Sequence, residues 1–524
     1  MKPKQKLKQA GFSTLEMMIA MALMILVLSG ASSVIFKNQS GAGAAIIKSQ
    51  SVSNDSQTGL EALLIARKKL DEVYETARRD YESATDVSET LVSGISYETE
   101  IKSHNATQCG KQISSAVFWT REGGRRAEVK LETYVSNLSL MFDLGGNCQT
   151  AVPKKDWRKP LVLTAVERGQ LDGSRTVGLN MIGNQIYAIG SASEENKPDL
   201  LTFGSAGLDI GNPGGLSISG KTDCQTKAYN AIVVANHSGS GRTYAYVANN
   251  AAQNQLQVID VSDPSHPVAI TLANRTLPGV GNSYPQGWSI YFYKDRIYIA
   301  TRETAGPEFH VYDVSDPANP VHLGSKEINH NVNAIVVRDQ VVAGEKKTLA
   351  YLALSATNPA APEMEVLDVA NPAAIPAPVG KFFAAGTQEA KSLYLLEKKI
   401  YLGRAKGNNG APNFYVIDVG DPAAPSSCLT CNSSNVTHYA NNEDIRGMVV
   451  SGKYAFLATS FGLRILNVSD QANIEVPAAA PHGAFQTSKG LSAVAFDNDL
   501  IYAATPDVPG AGDSAFYVFY PSED

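Results

Sequence analysis

"LQVIDVSDPSHPV" (256–268) and "FHVYDVSDPANPV" (309–321) are one phrase written twice. It returns as "MEVLDVANPAAIP" (364–376), "FYVIDVGDPAAPS" (414–426) and "LRILNVSDQANIE" (463–475). Its anchors, Asp260, Asp313, Asp368, Asp418 and Asn467, stand 53, 55, 50 and 49 residues apart. Upstream of each copy runs a second apolar phrase: "TYAYVANN", "RIYIATRE", "LAYLALSA", "KIYLGRAK" and "YAFLATSF". Weaker copies precede them ("QIYAIG", "LLTFG") and follow them ("LIYAAT", "FYVFY"), which gives seven units of roughly 50 residues.

Inside the units, short β-branched and aromatic runs alternate with Gly, Pro, Asn and Asp, and no helical period survives. All-strand units of this length suit four-stranded blades set around an axis. The last unit supplies three strands. "PLVLTAVE" (160–167), just ahead of the first unit, supplies the missing outer one and so closes the ring, removing exposed sheet edges. In the repeated phrase the first Asp ends a strand and the second opens a Pro-containing turn. Asp accepts backbone N–H groups in such turns and Pro fixes φ, so the recurrence reads as turn chemistry rather than a ring of cation ligands. "DNDLIY" (497–502) is the nearest fragment to a calcium loop and reads as a hairpin turn. The phrase resembles the LVIVD repeat, a bacterial surface family, and the resemblance implies a β-propeller over 160–524.

The other end of the chain has a different texture. From Phe12 to Phe36 the only charge is Glu16, behind a leader carrying Lys2, Lys4, Lys6 and Lys8. As a helix this stretch rises about 37 Å, enough for a hydrocarbon core of about 30 Å, and the lysines hold its start in the cytoplasm. A glutamate in such a span costs about 2.5–3.5 kcal/mol. Cleavage after Gly11 would offset that cost by giving Phe12 a free amine that pairs with Glu16 of a neighbouring subunit.

Gly11-Phe12-Ser13-Thr14-Leu15-Glu16 ahead of an apolar run resembles the cleavage and methylation motif of type IV pilins and type II secretion pseudopilins. The resemblance implies that a prepilin peptidase cuts between Gly11 and Phe12 and methylates Phe12, and that Glu16 serves assembly. Residues 1–11 are then a leader and 12–36 a transmembrane and assembly helix. The expected partners are the peptidase, other pilin subunits and the inner membrane.

Over 37–150, Leu60, Leu63, Leu64, Leu70, Tyr74, Ala77 and Tyr81 recur at helical steps. Candidate strands follow at "GISYETEIKS", "SAVFWTR" and "RRAEVKLETYVSN", with a hairpin at Arg121–Gly124 and Trp119 in the core. The whole reads as an α+β pilin domain, a long N-terminal helix plus a small antiparallel sheet, followed by an all-β seven-bladed propeller.

Of five cysteines, Cys109 and Cys148 could bridge within one small domain. Cys428 and Cys431 form a CxxC that reads as a loop staple, and Cys224 is left over. No second CxxC completes a zinc site, so no metal or cofactor is expected. No catalytic motif stands among the histidines. His266 and His322 fall in or beside the repeated turn and read as surface. His330 and His438 precede presumed innermost strands and are weak ligand candidates. A net charge of −6 does not favour nucleic acid. The expectation is a non-enzymatic minor pilin-like subunit, held in the inner membrane and then in an extracellular filament. Its propeller would serve surface adhesion or protein or glycan binding through an unknown receptor. The alternatives are a minor pseudopilin of a type II secretion system and a filament-displayed hydrolase or lyase.

Overall fold

A computed structural model of the chain describes Val34–Ile35, Ile46–Lys48 and, with interruptions in loops, residues 56–522; the longest interruption is 428–442. The chain divides into two compact units. The first takes in 1–105 and 110–137, the second 106–109 and 138–524.

The first unit is a helix on a sheet. The helix Ser56–Arg79 buries Ala62, Ala66, Leu70 and Ala77 against Tyr97, Ile113, Val117, Trp119 and Leu131. Its small residues at i, i+4 spacing let the strands approach closely, and Arg78 and Arg79 sit favourably at its C-terminal dipole. Four strands, Val87–Ser93, Ile95–Thr107, Gly110–Thr120 and Arg126–Ser136, pair antiparallel in chain order. The strand at 87–93 was not expected: "VSETLVS" alternates too weakly to announce itself.

The expected membrane helix lies largely outside the described residues, and among those described no helix is long and apolar enough to cross a membrane. Its last turn needs correcting. Val34–Ile35 is a strand paired with Ile46–Ile47, and Ile46–Lys48 in turn pairs with Lys130–Glu132. The β-branched Val34, Ile35, Ile46 and Ile47 favour such an extended pairing.

The second unit holds seven four-stranded antiparallel sheets among the described residues. Blades 1 to 6 cover 176–222, 229–269, 287–326, 332–382, 390–427 and 445–486. Blade 7 is made from 493–521 and closed by Pro160–Glu167, which pairs with Ser514–Pro521. Each first strand neighbours the first strand of the next blade, and the seventh returns to the first. The second strands ("TYAYVAN", "RIYIAT", "YAFLAT") are buried along nearly their whole length because both faces are covered by adjacent blades. Seven apolar clusters occupy the seven junctions, and the one between blades 7 and 1 contains Phe516 stacked on Phe203.

The repeated phrase does two structural jobs. Asp260, Asp313, Asp368, Asp418 and Asn467 each accept the backbone N–H two residues on, and the Val after each anchor is buried. The turn's proline carbonyl also abuts the outer strand of the preceding blade. A Cβ built at Gly220, Gly324 or Gly380 would stand 2.3, 1.9 or 2.0 Å from the carbonyl oxygens of Pro264, Pro372 and Pro422. Only glycine admits that approach, so the Gly of one repeat and the Pro of the next form one buckle. Asn498 and Asp499 take positive φ in the hairpin of blade 7, the turn expected of "DNDLIY".

Residues 138–159, which sequence reasoning divided between the pilin-like domain and a linker, group with the ring. Asn236 and Lys294 donate backbone N–H bonds to Gly145 and Asp143, and Ser451 donates to Ala151. Trp157 is fully buried against Phe456 and Phe496. The segment thus crosses from blades 2 and 3 to blades 6 and 7 on the face that carries the first-to-second strand hairpins. Cys148 within it is bonded to Cys109 across a Cα–Cα distance of 6.0 Å.

Candidate binding face of the propeller

The two ends of the ring differ. One carries tight hairpins, the uniform D-V-S-D-P turns and the crossing segment. The other carries the longer and more varied connections, 250–255, 302–308, 355–363 and 405–413 between second and third strands, and those leading to each next blade. Loops of unequal length on a rigid repeated frame are where binding residues concentrate.

On that face the first strands of blades 1 to 6 each open with a β-bulge at the same position. The inserted residues are Val177, Asn230, Trp288, Asn333, Lys391 and Arg446, all half-buried. Four consecutive junctions show why the bulge persists. The carbonyl just before it accepts a side-chain bond from the preceding blade: Asn230 to Gly287 (2.6 Å), Ser289 to Val332 (2.7 Å), Asn333 to Ala390 (2.6 Å) and Ser392 to Ile445 (3.0 Å). The bulge is therefore an interblade stitch that also projects one extra side chain per blade.

These side chains are linked. Trp288 donates its indole N–H to Asn333 Oδ1 at 3.0 Å, and Asn333 donates to Glu389 at 3.3 Å; Glu389 pairs with Lys391. The exposed Arg302 guanidinium lies 4.7 Å over the Trp288 ring. Arg446 approaches Asp444 at 3.8 Å, and Asp444 accepts the Lys406 backbone N–H.

Beneath them lies a supporting layer that sequence reasoning missed. Five residues before four of the five anchors stands a buried polar group, Gln255, Glu308, Glu363 or Asn413; Gly462 holds that place before Asn467, and Asp199 is the counterpart in blade 1. Gln255 accepts the Leu277 N–H, Glu308 those of Ile328 and Asn329, Glu363 that of Ala384 and Asp199 that of Cys224. Each ties the loop leading to the next blade. The signal was a polar residue directly before the apolar third strand in blades 1 to 5, hidden because its identity changes from repeat to repeat. Glu363 is joined by Arg404, both essentially without exposure, at 2.9 Å. Burial pushes the Glu363 carboxyl up, against the backbone N–H of Ala384 and the charge of Arg404.

His330 sits half-buried in the connection from blade 3 to blade 4, on this face; His438, Cys428 and Cys431 lie outside the described residues, as do Gly11, Phe12 and Glu16. His322 is corrected from surface to half-buried: it stands opposite Tyr312 on the neighbouring strand, its ring edge-on to that of Tyr312, and its ring nitrogen lies 3.5 Å from that of the buried His310. Among the described residues no three potential ligands gather to hold a metal. Burial pushes the Cys224 thiol up to about 12, which favours the neutral thiol over the thiolate at neutral pH.

His310 carries a pH prediction. Burial lowers its pKa to about 4 from 6.5. A depressed histidine means that the unfolded chain takes the proton first. The stabilisation is whole above pH 6.5 and is lost as pH falls toward 4. Between pH 7 and pH 4.5 the wild type should lose about 2–3 kcal/mol more than His310→Gln, read from urea midpoints at the two pH values.

A family model for the LVIVD repeat matches residues 240–272 and 444–476, the cores of blades 2 and 6. No curated protein matches the chain. Among solved structures, the quinohemoprotein alcohol dehydrogenase of Comamonas testosteroni is similar at 12% identity and a TM-score of 0.35, covering 83% of this chain and 73% of that one. Quinohemoprotein alcohol dehydrogenase ADHIIG of Pseudomonas putida HK5 is similar at 10% and 0.32, covering 79% and 69%. Likeness at that level says nothing about chemistry. The second unit is a β-propeller, and two of its blades carry LVIVD repeats.

Proposed function

We propose that this chain is a minor pilin-like subunit that presents its propeller as a binding head, inserted in the inner membrane through its N-terminal span and then carried on an extracellular filament. The observation that carries the reading is Gly11-Phe12 with Glu16 ahead of an unbroken apolar run, followed by a helix packed on an antiparallel meander. In the pilin resemblance such a helix lies on a small sheet, as Ser56–Arg79 does here. Glu16 pairs with the freed amine of a neighbour's Phe12, which sets the register of assembly. The ring is the larger part of the chain, and a filament built of such subunits alone would be crowded, hence the minor role. Its receptor is met by the face described above, since the other end is crossed by residues 138–157.

The test is immunogold labelling of sheared filaments with antibody to residues 160–524. Sparse label on the filaments is the expected result. Label confined to the cell envelope, with bare filaments, contradicts the reading.

A further inference from the structure

Two of the bulge residues reach into the next blade with a side-chain carboxamide, and they meet different neighbours. Asn230 donates to the Gly287 carbonyl, and the residue after Gly287 is Trp288. Asn333 donates to the Ala390 carbonyl in the same way, at 2.6 Å, but the residue after Ala390 is Lys391. The first junction offers an indole and the second a primary amine. Glu389, on the other side of Ala390, touches both polar groups of the second junction. One carboxylate oxygen accepts from Asn333 Nδ2 at 3.3 Å, and the other pairs with Lys391 Nζ.

The Asn333 carboxamide is held from both ends. Its oxygen accepts the Trp288 indole N–H at 3.0 Å. Indole only donates, and an ionised carboxylate and a carbonyl only accept, so these partners fix which end of the amide is which. Ala390 is fully buried and anchors the strand between acid and amine, while the Glu389 carbonyl accepts the Ala405 N–H. The Lys391 and Glu389 side chains keep 30% and 32% exposure, so the pair is drawn partly out of water yet leaves a way out for a small product.

These groups are the parts of an amide exchange. They are a nucleophilic amine, a carboxylate that can carry its protons, a carboxamide whose nitrogen already faces that carboxylate, and a donor on the oxygen where charge develops on attack.

We propose that Lys391 and Asn333 join in an intramolecular isopeptide bond that covalently links blades 4 and 5. Glu389 takes a proton from the Lys391 ammonium, and the freed electron pair of Nζ attacks Asn333 Cγ. The Trp288 N–H stabilises the oxyanion of the tetrahedral adduct. Glu389 passes its proton to Nδ2, the Cγ–Nδ2 bond breaks, and ammonia leaves. Nζ gives up two protons in all: one goes to Nδ2, and the other departs with ammonia as ammonium. No oxidant, metal or cofactor is consumed. The product closes the chain between 333 and 391 and so constrains the unfolded state as any crosslink does. The inference does not depend on the filament reading.

The test uses the full chain, purified in detergent micelles, denatured, digested with trypsin and read by tandem mass spectrometry. The wild type should yield peptides 327–338 and 382–398 as one joined species, lighter by one ammonia than the two together, with cleavage after Lys391 blocked. Glu389→Gln keeps the shape of the acid but cannot carry the proton, and the joined species should be lost from it. Lys391→Arg, which keeps the charge and has no primary amine, should lose it as well. Melting curves of both variants show that they fold. A purely structural ion pair at Glu389 would move those curves and leave the wild-type peptides separate.

Peptides 327–338 and 382–391 recovered separate and unmodified from the wild type overturn the proposal, and that result needs no variant. Ammonia lost from 327–338 alone also overturns it, since that marks a cyclised asparagine and not a crosslink. A joined species at full yield in Glu389→Gln overturns the proton route.

Discussion

Arg404→Met is expected to destabilise the propeller by about 3–5 kcal/mol, because it leaves a buried carboxylate without its partner. Arg404 ends the second strand of blade 5, and Glu363 precedes the third strand of blade 4. The guanidinium also donates to the carbonyls of Gln388 and Pro412 at 3.2 and 3.0 Å and lies 5.5 Å from the Tyr415 ring. Removing the charge strands Glu363, whose carboxyl burial already pushes up. An acid with a raised folded pKa loses stability as pH rises through that value. The deficit of the variant should therefore shrink on acidification below neutrality and grow toward pH 8. The double variant Arg404→Met/Glu363→Gln keeps an acceptor for the Ala384 N–H and buries no charge. It should recover to within about 1–2 kcal/mol of wild type. Urea midpoints of the single and double variants at pH 5.5 and 8 decide the matter. A single variant within about 0.5 kcal/mol of wild type at both values would mean that the pair is solvated rather than buried.

Phe516→Ala should cost a similar amount, about 3–5 kcal/mol. Phe516 is fully buried, its ring 5.1 Å from that of Phe203 and 12° from parallel with it, at the junction where the last blade meets the first. Its counterpart in blade 3 is Phe309, also fully buried, at an ordinary junction. In a closed ring the two sites are equivalent, and Phe309→Ala should cost about the same. If Pro160–Glu167 did not complete blade 7, that junction would be frayed and partly wet, and Phe516→Ala would be nearly free while Phe309→Ala stayed expensive. The comparison measures closure without deleting a strand.

The ring was legible because its information is repeated. Anchors about 50 residues apart, apolar second strands and turn-forming Asp and Pro are backbone requirements met in the same way in every blade. The closing strand could be placed because three strands at one end need a fourth. What escaped notice is information carried by position rather than residue type. The bulges fall in "TVG", "YNA", "GWS", "VNA", "AKS" and "IRG", which have no side chain common to all six, since a bulge is set by the carbonyl it turns toward the neighbouring blade. The buried residue directly before the third strand is Asp, Gln, Glu, Glu or Asn in blades 1 to 5, because any acceptor or donor can satisfy a loop. The glycine–proline buckle joins residues of different repeats and is invisible within one. His322 read as exposed because its position beside the turn outweighed its cross-strand pairing with Tyr312. Residues 138–159 show no strong period. They belong to the ring through backbone bonds and through Trp157, neither of which a periodicity test detects.

The central claim is that an assembly-competent pilin-type terminus delivers the propeller to a filament. The most direct measurement is the N-terminal peptide of the chain recovered from sheared filaments of its native host, read by mass spectrometry. The account predicts that this peptide begins at N-methylated Phe12. A chain that still begins at Met1 and remains in the membrane fraction would contradict it.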